Sequence, residues 1–247
     1  MANQSGRHFL QIPGPTPVPE RILNAMSRQM LDHRGPTFGE FGLKLLADVK
    51  TIFKTVNPVI IYPASGTGAW EAGFVNTLSP GDKVLIVETG QFAVLWRNMA
   101  ERLGLEPEVI PTDWHGGADA NAVEARLKKD KAHDIKAVCV VHNETSTGAR
   151  TWIDEIRKAM DGAKHPALLM VDAVSSLAAM DFRHDEWGVD VAVSGSQKGL
   201  MLPPGLSFTA ISQKALAASK KATLPRSYWN WEDMIAINAA GTFPYTP

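Results

Sequence analysis

A doubly wound α/β sheet is the fold class this sequence predicts, and three observations predict it. Five short apolar runs, rich in β-branched residues, occupy positions 59–65, 83–89, 136–144, 167–173 and 189–195 ("VIIYPAS", "KVLIVET", "KAVCVVHNE", "ALLMVDA" and "VDVAVSG"). Their near-continuous hydrophobicity marks strands buried on both faces. Helical patterns separate them, with "GAWEAGFVNTL" after the first run, "FAVLWRNMAERLG" after the second and "DEIRKAMDGA" before the fourth. That alternation is the sequence form of a sheet with helices on both faces.

The elements follow in order. The proline-rich start, "IPGPTPVPERI" at 12–22, reads as an extended arm leading into a helix over "ERILNAMSRQML". Residues 1–22 are therefore expected to form an N-terminal arm and 23–247 one large domain. Phe38, Phe41, Leu45, Leu46, Val49, Ile52 and Phe53 recur at helical spacing and predict an amphipathic helix packed on the core. After the fifth run, "SFTAIS" (207–212) can return as a sixth strand, antiparallel because only a short turn precedes it. The last segment reads as helix and then irregular chain. Trp229 and Trp231 in it suit either the core or a subunit interface.

A chain of 247 residues can bury a substantial core. Its formal net charge of −1 lacks the electrostatic footprint of a nucleic-acid or membrane-surface binder, so neither partner is expected. Cys139 is the only cysteine; it excludes an internal disulfide and sits in a run that reads as a buried strand. No apolar run approaches the length of a membrane span, and the start lacks the regions of a signal peptide, so a cytoplasmic location is expected. "HNE" (142–144) and "HDE" (184–186) have neither helical i, i+4 spacing nor a third ligand, and no metal is expected.

Ligands of open α/β sheets bind beyond the carboxyl ends of the strands. The first run ends in "SGTGAWEAG" (65–73), a glycine-rich turn that opens a helix and could receive a phosphate. A dinucleotide fingerprint is the rival reading, with Gly66, Gly68 and Glu88 in place, but its third glycine is missing because Glu71 stands there. The fourth run ends in Asp172, and the fifth leads through "SGSQK" to Lys198, 26 residues later. An acid, a lysine and a phosphate turn at one sheet edge suit pyridoxal phosphate. The lysine forms its Schiff base and can shuttle a proton, the acid keeps the ring nitrogen protonated, and the turn anchors the phosphate.

Together "GPTPVPERIL", "SGTGAWEA", "HNETSTG", "VDAVSSL" and "SGSQKGLMLPPG" resemble the class V aminotransferases, fold-type I pyridoxal-phosphate enzymes, and most closely the serine-glyoxylate and alanine-glyoxylate types. The resemblance implies the large cofactor-binding domain of that fold, with a mostly parallel sheet of about seven strands. It implies transamination of serine or alanine with glyoxylate, giving glycine and a 2-oxo acid. By motif, Lys198 resembles the Schiff-base lysine and Gln197 a cofactor-contacting glutamine. Asp172 resembles the partner of the ring nitrogen, and Thr67, Gly68 and Ala69 the phosphate turn. Thr145 resembles a hydroxyl residue near the ring's 3-hydroxyl, and Phe92 the aromatic stacked on the ring.

Relatives of this kind are homodimers, and Thr246 resembles the threonine that a neighbouring subunit adds to the phosphate pocket. They continue into a smaller C-terminal domain with an arginine for the substrate carboxylate, which is expected to be absent from this chain. Two alternatives remain at this point. One is another class V enzyme, such as a desulfurase or lyase; desulfurases carry histidine before the lysine, where this chain has Gln197. The other is a cofactor-binding fragment without activity.

Overall fold

The computed structural model describes residues 9–245. Beyond the arm come α1 (Glu20–Met26) and α2 (Pro36–Phe53), and then β1 (Val59–Pro63), α3 (Gly66–Thr77), β2 (Lys83–Glu88), α4 (Gln91–Arg102), β3 (Glu106–Pro111) and α5 (Ala120–Lys129). The chain continues through β4 (Ile135–Val141), α6 (Ile153–Gly162), β5 (Leu168–Asp172), β6 (Val191–Gly195), β7 (Leu206–Ile211), α7 (Gln213–Ser219) and α8 (Trp231–Asn238).

The seven strands form one sheet in the order β1-β7-β6-β5-β4-β2-β3. Neighbours from β6 to β3 are parallel, and β7 lies antiparallel between β1 and β6. The antiparallel return at 206–211 follows from the short connection 196–205, since a parallel crossover needs a longer path. Alternate strand residues feed two cores. Ile86, Cys139, Met170 and Val193 face α3, α4 and α7. Leu85, Val138, Leu169 and Ala192 face α2, α5 and α6. Both faces are therefore dry, as the continuous apolar runs require.

Two elements carry no clear signal in the sequence. Strand β3 is an edge strand with Pro107 and Pro111 and no fully buried residue, so it shows no apolar run. Helix α5 buries only Val123 and Leu127, too few to stand out as a stripe. Helix α1 stops at Met26, short of the expected Leu31, because it buries no residue and packing does not extend it. The stripe on α2 is also wider than its core contact. Val49 and Phe53 are buried, whereas Phe41, Leu45 and Ile52 are exposed along an open groove. Of the two late tryptophans, Trp231 is buried and Trp229 packs partly buried against the same core layer.

The loop after β6 is braced before it reaches the sheet again. Ser196 N–H donates to Leu206 O at 2.9 Å, Ser196 Oγ donates to Pro203 O at 2.6 Å, and Leu202 N–H donates to Ser196 O at 3.0 Å. Gly199 lies against the backbone of 177–179, where a Cβ would overlap Leu177 O and stand 2.9 Å from Ala179 N. Backbone cannot swing aside as a side chain can. Gly199→Ala is expected to destabilise the protein by roughly 2 kcal/mol, measured as the shift of the urea midpoint at unchanged slope.

Candidate active site

The order β2, β4, β5, β6 makes the carboxyl ends of four parallel strands neighbours, and each contributes a loop to one cavity. Phe92 lies past β2 at the start of α4, Thr145 past β4, Asp172 at the last position of β5, and Gln197 and Lys198 just past β6. With Thr67 from the first turn of α3 they line a cavity of about 260 Å³. The arm closes it with Gly14 and Pro15; Ser65, Gly66, Trp70, Val174 and Pro204 complete the wall.

Asp172 is buried, and each of its oxygens has one fixed donor. Val174 N–H reaches Oδ1 at 2.7 Å, and Trp70 Nε1–H reaches Oδ2 at 3.0 Å. Burial raises its carboxyl to about 7, and the nearby Glu144 pushes the same way; the two donors and Lys198 pull against that rise. Two N–H bonds do not fill the acceptor capacity of a carboxylate, so a further donor can be taken.

Lys198 is half-buried, and burial lowers its amine below the ordinary lysine value despite Asp172 nearby. Among the described residues its Nζ makes no hydrogen bond or ion pair. The arm holds it in place. A Cβ on Gly14 would stand 2.5 Å from Lys198 Cδ and 2.9 Å from Nζ, so a side chain there would push the lysine aside. Thr16 ties the arm down, its N–H donating to Gln197 O at 3.0 Å and its hydroxyl to Lys198 O at 3.1 Å.

Helix α3 starts at the cavity wall with Gly66 and Thr67, and its N-cap residue Ser65 makes no side-chain cap. The first-turn N–H groups are thus left for an anion. Gln197 Oε1 is buried and has no hydrogen-bond partner among the described residues. Phe92 and Val174 supply apolar wall.

Gly68 and Ala69 lie outside this wall. Gly68 packs under Trp229, where a Cβ would stand 2.8 Å from Cη2, and Ala69 is buried with its N–H donated to Ser65 O at 3.2 Å. Thr246 lies outside the described residues. Three contributors were not singled out from sequence. Trp70 sits inside the glycine-turn motif, and Gly14 inside "GPTP". Glu144, buried in "HNETSTG", accepts from Phe92 N and Ala93 N at 3.3 Å each and from Ser146 Oγ at 2.8 Å. It caps α4 and so fixes where Phe92 stands. All three fall within or beside quoted motifs, which is the signal that could have found them.

The family model for class V aminotransferases matches residues 8–228. The chain belongs to the class V aminotransferases. It is 52% identical over 241 residues to a serine-glyoxylate aminotransferase of Hyphomicrobium methylovorum, covering 96% of this chain and 60% of that one. It is 48% identical to an L-aspartate-glyoxylate aminotransferase of Paracoccus denitrificans, covering 96% and 60%. The alanine-glyoxylate aminotransferase of a Nostoc species superposes with a TM-score of 0.86 at 28% identity, covering 96% and 63%. The chain thus spans about 60% of the length of the curated relatives it matches.

The family's cofactor is pyridoxal phosphate, and the residues present fit it. The uncapped start of α3 suits the phosphate, the buried Asp172 suits a cationic ring nitrogen, and the unpartnered Lys198 amine suits the aldehyde.

The buried Asp172 also makes stability depend on pH. Its carboxyl binds a proton more tightly when folded, at about 7, than at the ordinary 3.8 of an unfolded chain. Its stabilising contribution is therefore full below about pH 4 and is lost as pH rises through 7. In urea melts of the cofactor-free protein, Asp172→Asn is expected to gain on wild type between pH 4 and pH 8, by on the order of 4 kcal/mol. A difference that stays constant with pH would refute the raised carboxyl.

Proposed function

We propose that this chain is the cofactor-binding part of a glyoxylate aminotransferase, which passes the amino group of a small L-amino acid, serine or alanine, to glyoxylate. One observation carries the reading: Lys198, Asp172 and the uncapped start of α3 meet in a single cavity. The names of the relatives support the acceptor, since serine-glyoxylate and L-aspartate-glyoxylate aminotransferases share it.

Bound pyridoxal phosphate supplies an aldehyde that condenses with amines and a ring that draws electron density from the substrate α-carbon. The remaining work falls to the chain. Thr67 and the first-turn N–H groups of α3 hold the phosphate, with Gln197 beside them. Asp172 holds a negative charge at the ring nitrogen. Phe92 presents an apolar face, and Thr145 offers a hydroxyl to the ring's 3-hydroxyl. The Lys198 amine, biased by burial toward its neutral form, removes the proton from the substrate α-carbon. The apolar walls and the arm residues Gly14 and Pro15 keep water from the reacting atoms.

A desulfurase is not favoured. Cys139 is fully buried in β4 and burial pushes its thiol up, away from the nucleophilic thiolate. We also read the protein as a homodimer, because Phe38, Phe41, Leu45 and Ile52 of α2 line an open apolar groove of about 430 Å³ together with Phe208 and Phe243. Thr246 is assigned to the partner's phosphate pocket on its motif alone. Among the described residues no helix is long and apolar enough to cross a membrane.

The protein mixed with pyridoxal phosphate is expected to show the visible absorbance of a lysine-bound cofactor, and Lys198→Ala to abolish it. With serine or alanine and glyoxylate, the same substitution should lower glycine formation by at least 100-fold. Absorbance retained in Lys198→Ala would overturn the assignment.

A further inference from the structure

Two tryptophans stack in the apolar layer beside the cavity, their ring centroids 5.7 Å apart and their planes 16° from parallel. Their indole N–H groups meet different fates. Trp70 donates to Asp172 Oδ2 at 3.0 Å, whereas Trp96 Nε1 is buried and has no partner among the described residues. One apolar stack therefore directs a single donor at the one carboxylate of the cavity.

We propose that Trp70 is a positioning residue of the reaction: its indole N–H fixes the Asp172 carboxylate in one orientation and holds its negative charge, so that the proton between Asp172 and the cofactor's ring nitrogen stays on the ring. This rests on reading the cavity as a pyridoxal-phosphate site.

The chemistry at Asp172 is a balance. Desolvation favours the neutral acid, as does Glu144 from beyond β4. Val174 N–H, Trp70 N–H and Lys198 from beyond β6 favour the carboxylate. A donor to a buried carboxylate stabilises the ionised form selectively. Without the Trp70 donor the carboxylate becomes the stronger base and draws the proton off the ring nitrogen, which weakens the ring as an electron acceptor. The donor cannot turn away, because the indole stacks on Trp96 and meets Phe92 edge-on, with centroids 6.3 Å apart. Trp70 also sits one turn into α3, the helix whose first turn is assigned to the phosphate. One rigid element thus sets the phosphate and the acid relative to each other.

The stack supplies its own control. Trp70→Phe and Trp96→Phe make the same exchange in the same apolar layer, but only the first removes a donor from Asp172. In the cofactor-free chain the Asp172 carboxyl is titrated by carbon-13 NMR, and in the holoenzyme the ring nitrogen is read with nitrogen-15-labelled pyridoxal phosphate. Trp70→Phe is expected to raise the Asp172 midpoint by about one pH unit and to move the ring nitrogen toward its neutral position. Trp96→Phe should leave both near wild type. An unmoved midpoint in Trp70→Phe, or equal movement in both variants, would overturn the proposal.

In the unmutated chain the Trp70 indole N–H resonance should titrate with Asp172 while that of Trp96 does not. A Trp70 resonance indifferent to pH would overturn the proposal without reliance on any variant. A wild-type chain with no bound nitrogen-15 signal would overturn the reading of the cavity, while the Asp172 midpoint still decides the Trp70 contact.

Discussion

Burying a carboxylate away from water costs several kcal/mol unless donors or a cation answer it, and the cavity is arranged around that cost at Asp172. Val174 and Trp70 answer part of it, and Glu144 adds to it. The carboxyl is left poised near neutrality, where a cationic ring nitrogen is the natural completing partner. Strand β5 is central in the sheet, so its end cannot move to relieve the strain of burial. On the proposed reading, this rigid acid, with acceptor capacity to spare, would receive the positively charged ring nitrogen.

Helix α3 organises the rest. It is buried nearly all round, packing on the sheet and on α4, so its position is fixed by the core. That fixes its N-terminal turn at the cavity and, one turn later, Trp70 at Asp172. On the other side the arm is held to the lysine loop by Thr16, and Gly14 leaves just enough room for the Lys198 side chain. Glu144 does the corresponding work for α4, tying the helix that carries Phe92 to the loop that carries Thr145. Asp172, Phe92 and Lys198 are thus each braced by a neighbouring residue: Trp70, Glu144 and Thr16 respectively.

The exposed stripe on α2 follows a different logic. A helix packed only on a domain core would bury its whole apolar face, whereas α2 buries Val49 and Phe53 and leaves Phe41 and Ile52 open. Apolar surface of this continuity is the mark of a face meant to be covered. It shares no lining residue with the cavity, although Leu200 and Leu202, just past Lys198, line it with Phe208, Met234 and Phe243.

The sequence by itself determined the fold class, five of the strands, the antiparallel return read at 207–212, and the acid, lysine and glycine turn of the cavity, because those features depend on local patterns. Continuous apolar runs report burial on both faces, and polar residues ending them report a ligand edge. Lys198, Asp172 and the glycine turn that carries Thr67 were legible for that reason, each lying at or just past a strand end, whereas Phe92, Thr145 and Gln197 were named only by the family resemblance. Edge strand β3 was not, since half-exposed strands with proline lack a run. Only the tertiary structure decided which neighbours hold those residues. Trp70 meets Asp172 across 102 positions of chain, and Gly14 meets Lys198 across 184. No periodicity encodes such contacts. They exist because the sheet order places β4, β5 and β6 side by side under the start of α3, and sheet order is set by long-range packing of whole layers.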